Sequence, residues 1–228
     1  MNVKILALTG TRRKGGNSDI LTDKALEGAE GSVIEKIYLK DLHIKPCKGC
    51  LRCNLLGYCS IKNDDFNCFR DKFLESDSII ISAPVYYHYI PGELKVLLDR
   101  FRSTFHVKMT PENLIYTSRY DIETKKFLFI LTLGHPKEHD AIPALEALKL
   151  FASMTCKNPV IIKPVIATFL AVPGQITACK EKLRQIFTKI NTSNELADEK
   201  YEKYQQFLKD AYDAGKIISE QLPVSSYR

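Results

Sequence analysis

Val3-Lys4-Ile5-Leu6-Ala7-Leu8 runs straight into Thr9-Gly10-Thr11-Arg12-Arg13-Lys14-Gly15-Gly16-Asn17-Ser18. The first six residues read as a short buried strand, the rest as a polar, glycine-bearing loop, and the periodicity that starts at Ser18 as a helix. A strand, a loop and a helix N-terminus in that order suit an anion, because the unpaired amides of the first helical turn and the positive end of the helix dipole converge there. The loop has neither the G-x-G-x-x-G spacing of dinucleotide folds nor the G-x-x-x-x-G-K-[ST] spacing of nucleoside triphosphate loops. It therefore reads as a cradle for one phosphate, with Arg13 or Lys14 as countercharge. The competing reading is a plain polar loop capped by Asn17 or Ser18.

Outward from this stretch, Leu21, Ala25 and Gly28 fall on one face of a helix reaching about residue 30, and residues 33–39 alternate as a second strand. Residues 43–68 keep neither period and read as an insertion. A helix ends across 69–74, and the apolar run 78–83 is a buried strand leading into Pro84-Val85-Tyr86-Tyr87-His88-Tyr89. After Pro91-Gly92, the residues Leu94, Leu97, Leu98, Phe101 and Phe105 share a helical face. Residues 107–125 read as an aperiodic surface excursion. A strand over 127–131 ends in Thr132-Leu133-Gly134-His135-Pro136, and a helix near 141–154 with a strand near 160–170 completes a fivefold β-α alternation. That alternation predicts a parallel sheet covered on both faces. Ile176, Cys179, Leu183, Ile186 and Ile190 repeat as a further helix. A last helix over 196–221 carries the stripe Tyr204, Leu208, Ala211, Gly215, Ile218 and Leu222. The expected division is residues 1–193 as the domain and 194–228 as a helical extension of it.

A length of 228 residues and 45% hydrophobic residues suit one soluble α/β domain. No run approaches the roughly 20 apolar residues of a membrane span, and Lys4 is followed by no signal-peptide cleavage pattern, so a cytoplasmic protein without membrane attachment is expected. The net charge is +6, but the cations are interleaved with acids, and no basic stripe favours nucleic acid.

The loops 9–18, 84–89 and 132–136 each follow a strand, so a doubly wound sheet brings them to one rim. A ligand with a phosphate and a flat aromatic head, such as FMN, fits such a rim. Taken singly, Tyr86, Tyr87 and Tyr89 also suit a rim of amphipathic aromatics packed over a loop. At this point the sequence resembles the flavodoxin-like NAD(P)H-dependent FMN reductase family, including its iron-sulfur flavoprotein branch. Residues 10–18 are similar to that family's G-S-P-R-K-G-G-N-[ST], residues 83–87 to its S-P-V-Y-W, and residues 91–100 to its P-G-x-L-K-x-x-x-D-R. The resemblance implies a flavodoxin-like doubly wound sheet of five parallel strands. It implies that Thr11, Arg13, Gly16, Asn17 and Ser18 hold the FMN phosphate, and that Pro84, Val85, Tyr86, Tyr87, Thr132 and Gly134 edge the isoalloxazine. It further implies hydride transfer from NAD(P)H to FMN, with electrons passing on to a quinone, a flavin or another acceptor, in a homodimer or homotetramer.

Cys47-x2-Cys50-x2-Cys53-x5-Cys59 brings four thiols into thirteen residues, close enough to wrap one compact centre. A [4Fe-4S] cluster is one reading, although the last gap of five and the following Ser60 depart from the ferredoxin run. The run is instead similar to that of the iron-sulfur flavoproteins, in which the protein would carry electrons between redox partners. Cluster-free relatives carry much the same cysteines before a K-D-D-like stretch, which residues 61–66 resemble. Zinc in an S4 site is a third reading. Cys68, Cys156 and Cys179 are expected to be packed in the interior. His88, His135 and His139 are expected on loop surfaces rather than in catalysis, because hydride transfer to a flavin needs placement more than a protein acid.

Overall fold

The computed structural model describes residues 2–221. In chain order the elements are β1 (Lys4–Thr9), α1 (Asn17–Gly28), β2 (Val33–Tyr38), α2 (Arg52–Leu56), α3 (Phe66–Glu75), β3 (Ser78–Pro84), α4 (Gly92–Arg100), β4 (Phe105–Met109), β5 (Leu114–Ser118), β6 (Thr124–Thr132), α5 (Ile142–Thr155), β7 (Asn158–Ile161), β8 (Val165–Ala167), α6 (Lys180–Lys189) and α7 (Leu196–Ser219). The sheet runs β2-β1-β3-β6-β7 with all pairings parallel, and β8 also pairs with β6.

The continuous apolar runs of β1, β3 and β6 are what a sheet covered on both faces requires, and the period of two sorts them into two cores. Leu6, Leu8, Ile79, Ile81, Phe127 and Phe129 pack with α3, α4 and α5 on one face. Ile5, Ala7, Ile80, Leu128 and Ile130 pack with α1, α6 and α7 on the other. The C-terminal helix is thus part of the core of the same sheet.

The structure departs from the sequence reading in four places. The strand expected over 160–170 is two: β7 pairs with Thr124–Phe127 and β8 with Ile130–Thr132, giving six strands rather than five. Pro164 lies between them and has no amide to donate to a ladder. The helix of the Leu94 face stops at Arg100, a 3-10 turn spans Phe101–Thr104, and Phe105 opens a strand. Residues 107–125 contain most of an antiparallel hairpin, β4 with β5, rather than an aperiodic excursion. Every residue of β5 is exposed, so it shows no in-out alternation. The helix expected from Ile176 begins at Lys180, with Ile176 buried in a preceding 3-10 turn. Of the last stripe, Tyr204, Ala211, Gly215 and Ile218 are buried, while Leu222 lies outside the described residues. No helix among the described residues is long and apolar enough to cross a membrane.

Candidate functional site

The loops after β1, β3 and β6 meet at the C-terminal rim of the sheet around a cleft of about 230 Å³. Of the rim residues singled out in the sequence, all but Lys14, Tyr87 and Tyr89 line it; Leu133, Leu170, Ala171 and Pro173 complete the walls.

The first wall is the loop into α1. Gly16 is the extended residue before the helix, and no side chain caps that end, so neither Asn17 nor Ser18 fills the role of a cap. The first-turn amides therefore keep their donor capacity for an anion. The loop folds back on itself through the Gly16 amide, which donates to the Arg13 carbonyl at 3.1 Å, and a Cβ at Gly16 would come within 3.0 Å of that same oxygen. The loop's three cations have separate fates. Arg12 is paired with Glu93 at 2.7 Å, and Lys14 lies over the Tyr38 ring at 5.0 Å. Arg13 lines the cleft, and its guanidinium has no hydrogen-bond or ion-pair partner among the described residues.

Asp19 holds the loop from below. Its carboxylate accepts from the Gly15 amide at 2.7 Å, from Lys36 Nζ at 2.6 Å and from the Tyr38 hydroxyl at 2.9 Å. Burial alone would raise its pKa, but the bonds from Lys36, Gly15 and Tyr38 outweigh burial and hold it below the usual carboxylate value. Ser18 Oγ meets Thr132 Oγ1 at 2.6 Å, which joins the first loop to the end of β6. Val85 N donates to Thr132 O at 2.8 Å and ties the second loop to the third.

Residues 86–89 form a two-residue hairpin turn closed by Tyr86 N to Tyr89 O at 2.9 Å and by the reverse bond at 3.0 Å. Tyr87 and His88 both have positive φ, 49° and 63°, as a type I′ turn requires. The turn puts Tyr87 at its tip, 100% exposed and outside the cleft, so of the tyrosines only Tyr86 can meet a ligand lying in it. The surface expectation for the histidines matches the structure: all three are exposed, and His88 Nδ1 sits 2.8 Å from Asp140.

The fourth wall, residues 169–176, was not visible as functional in the sequence. Fully buried Gln175 accepts from the Ala171 and Val172 amides and donates to Phe169 O and to the Tyr204 hydroxyl at 2.7 Å. Asn17 completes this support. Its Nδ2 donates to Val172 O at 2.9 Å, and its Oδ1 accepts from Ile176 N at 3.2 Å. The Asn17 side-chain amide is thereby bonded to the wall, while the residue also lines the cleft.

Cys47, Cys50, Cys53 and Cys59 line a second, smaller recess together with Arg100, Arg102 and Ser103. Arg100 is paired in turn with the buried Asp64, whose carboxylate also accepts from the Lys45 amide at 3.1 Å. Asn54 fastens the recess to β4, donating to Val107 O at 2.8 Å and accepting from Val107 N at 3.2 Å. Among the described residues no three His, Cys, Asp or Glu side chains converge where a single metal ion would be held. All seven cysteines are free; Cys156 is buried as expected, whereas Cys68 and Cys179 are exposed, each at a helix surface or start where the sequence had suggested packing.

With this geometry in place, the comparisons with known proteins are consistent. Part of the chain is 37% identical over 102 residues, 44% of its length, to an iron-sulfur flavoprotein of Methanocaldococcus jannaschii, of which the match covers 52%. The chain spans about half the length of the curated relatives it matches. In fold it is similar to an NAD(P)H:quinone oxidoreductase from Methanothermobacter marburgensis, with a TM-score of 0.63 at 15% identity over 98% of this chain and 100% of that one. It is similar also to an azoreductase from Bacillus anthracis, with a TM-score of 0.63 at 14% identity over 94% and 99% of the two chains. The model of the NADPH-dependent FMN reductases matches residues 3–198, which takes in every element that builds the cleft, and the chain belongs to that family.

Proposed function

We propose that this chain is an FMN-dependent oxidoreductase that accepts hydride from NAD(P)H and passes the electrons to a small-molecule acceptor. The observation that carries the reading is the uncapped start of α1 facing a cleft with an unpaired Arg13 beside it. Arg13 and the first-turn amides would bind the phosphate, with Thr11 and Ser18 lining the approach. Pro84, Val85, Tyr86, Thr132 and Gly134 would border the flat head. When bound, FMN supplies the redox chemistry that no side chain of the cleft possesses. The protein's own part is to hold the walls in register through Val85 to Thr132 and Ser18 to Thr132, and to leave the outer face open to a nicotinamide.

The test is an FMN titration followed by anaerobic addition of NADH or NADPH. Removing a charge-assisted bond costs about 1.5–3 kcal/mol, so Arg13→Ala should raise the FMN Kd roughly 10- to 150-fold without lowering thermal stability. Wild-type affinity in that variant, or a flavin spectrum that stays oxidised with both nucleotides, would refute the assignment.

A second reading is favoured by the recess: the four cysteines share it with two arginines, as suits a [4Fe-4S] centre ligated by Cys47, Cys50, Cys53 and Cys59. On this reading the protein passes single electrons between partner proteins.

The protein is also proposed to be a homodimer or homotetramer. Met109, Leu114, Ile115 and Tyr116 are exposed on the β4-β5 hairpin, an apolar surface larger than a two-stranded unit needs for itself. Sedimentation should give a multiple of 25.9 kDa at micromolar concentration; a single-chain mass would refute this.

A further inference from the structure

We propose that Arg102, with buried Arg100 beside it, donates to the cysteine thiolates of the second recess and holds the reduction potential of an iron-sulfur centre there above the value the four cysteines alone would give. This rests on the iron-sulfur reading above.

Arg102 Nη1 lies 3.8 Å from Cys53 Sγ, within hydrogen-bonding distance for sulfur. The guanidinium is aimed by two other bonds, to Phe105 O at 3.2 Å and to Asn54 Oδ1 at 3.0 Å, and the carbonyl of Cys53 accepts from Arg119 Nη2 at 2.7 Å. Both the donor and the cysteine are therefore fixed. Arg100 has a side chain with no exposed surface and uses its Nη1 on Asp64 and on Lys45 O at 2.7 Å. Its Nε is buried and has no hydrogen-bond partner among the described residues, yet the residue lines the recess. A buried N–H without an acceptor is costly, and a sulfur-rich ligand in the recess is the acceptor its position admits.

The charge count gives the direction. Four thiolates around a [4Fe-4S] core of charge +2 sum to −2, and reduction takes the sum to −3. One electron enters, from reduced flavin in the working protein or from dithionite in a titration, and no bond is made or broken. Hydrogen bonds and positive charge at the sulfurs stabilise the more negative state more strongly, so they raise the potential. Zinc held by the same thiols would gain no such function, because it does not change oxidation state.

The test compares wild type with Arg102→Gln after anaerobic reconstitution, measuring iron per chain, bound FMN and the cluster midpoint in a mediated dithionite titration followed by electron paramagnetic resonance. The expected result is about four iron atoms and retained FMN in both. The variant's equilibrium constant for reduction should be at least tenfold lower, a midpoint about 59 mV more negative for one electron. Arg102→Lys keeps the charge without the fork and should fall less; it carries the measurement if Arg102→Gln does not load iron. A loaded variant with an unmoved midpoint overturns this proposal and leaves the cluster reading intact, whereas a wild type that takes up no iron overturns both.

Discussion

Gly215→Ala should cost the protein at least about 3 kcal/mol, the upper range for forcing atoms into a packed interior. A Cβ at Gly215 would lie 1.8 Å from Ala25 O and 2.7 Å from Ala25 C, and a Cβ at Gly28 would lie 2.0 Å from Tyr212 O. Both obstacles are backbone, so no rotamer change relieves them and α7 must move away from α1. The consequence reaches the cleft, because α7 carries Tyr204, which supports Gln175 and through it the wall at 169–176. The variant should therefore lose FMN affinity together with stability. Gly92→Ala is the control, since nothing lies within 4 Å of the added atom and its backbone is ordinary. Urea denaturation of the three proteins decides the matter, and a Gly215→Ala midpoint equal to that of the control would show that the two helices do not touch along this line.

What the sequence disclosed and what it hid divide along a physical line. The buried strands and the glycine-bearing loop into α1 were legible because each is a local pattern: an apolar run with turn residues at its end, then glycines before a helical period. That Arg13 or Lys14 could supply a countercharge was legible for the same reason. The division of labour among Arg12, Arg13 and Lys14 was not, since it depends on Glu93 and Tyr38, which the fold brings from elsewhere. The bond of the Asn17 side chain to the fourth wall was not legible because a capping residue and a residue bracing a distant loop look identical in sequence; its partners Val172 and Ile176 are more than 150 positions away. Gln175 gave no signal at all and Tyr204 only that of a helical stripe, their bond joining a loop to a helix with no shared period. Tyr87 was displaced from the cleft by a turn that neither glycine nor Asn-Gly announces. The hairpin at 105–118 was missed because periodicity detects burial, and β5 buries nothing.

Asp64→Ala should destabilise the protein by about 3–5 kcal/mol, the loss expected when one partner of a buried ion pair is removed. The side chains of Asp64 and Arg100 are 1% and 0% exposed, so the variant leaves a guanidinium in the interior beside the Lys45 carbonyl, the Cys59 side chain and the face of Phe66, at 4.6 Å, with no carboxylate to balance it. The cost is one of abandonment more than of lost attraction, and this makes a sharper forecast. Asp64→Leu combined with Arg100→Met removes both charges and should recover most of the stability lost by Asp64→Ala, because apolar replacements of a buried pair are often close to neutral. The two proteins should nonetheless differ from wild type in the same way at the cysteine recess. Asp64 closes that loop by accepting from the Lys45 amide, and neither variant retains the acceptor. Thermal unfolding should rank wild type near the double variant and well above Asp64→Ala, while alkylation of the recess thiols under native conditions should be faster in both variants than in wild type. A double variant as unstable as Asp64→Ala would mean that the pair itself, not the stranded charge, holds this part of the fold together.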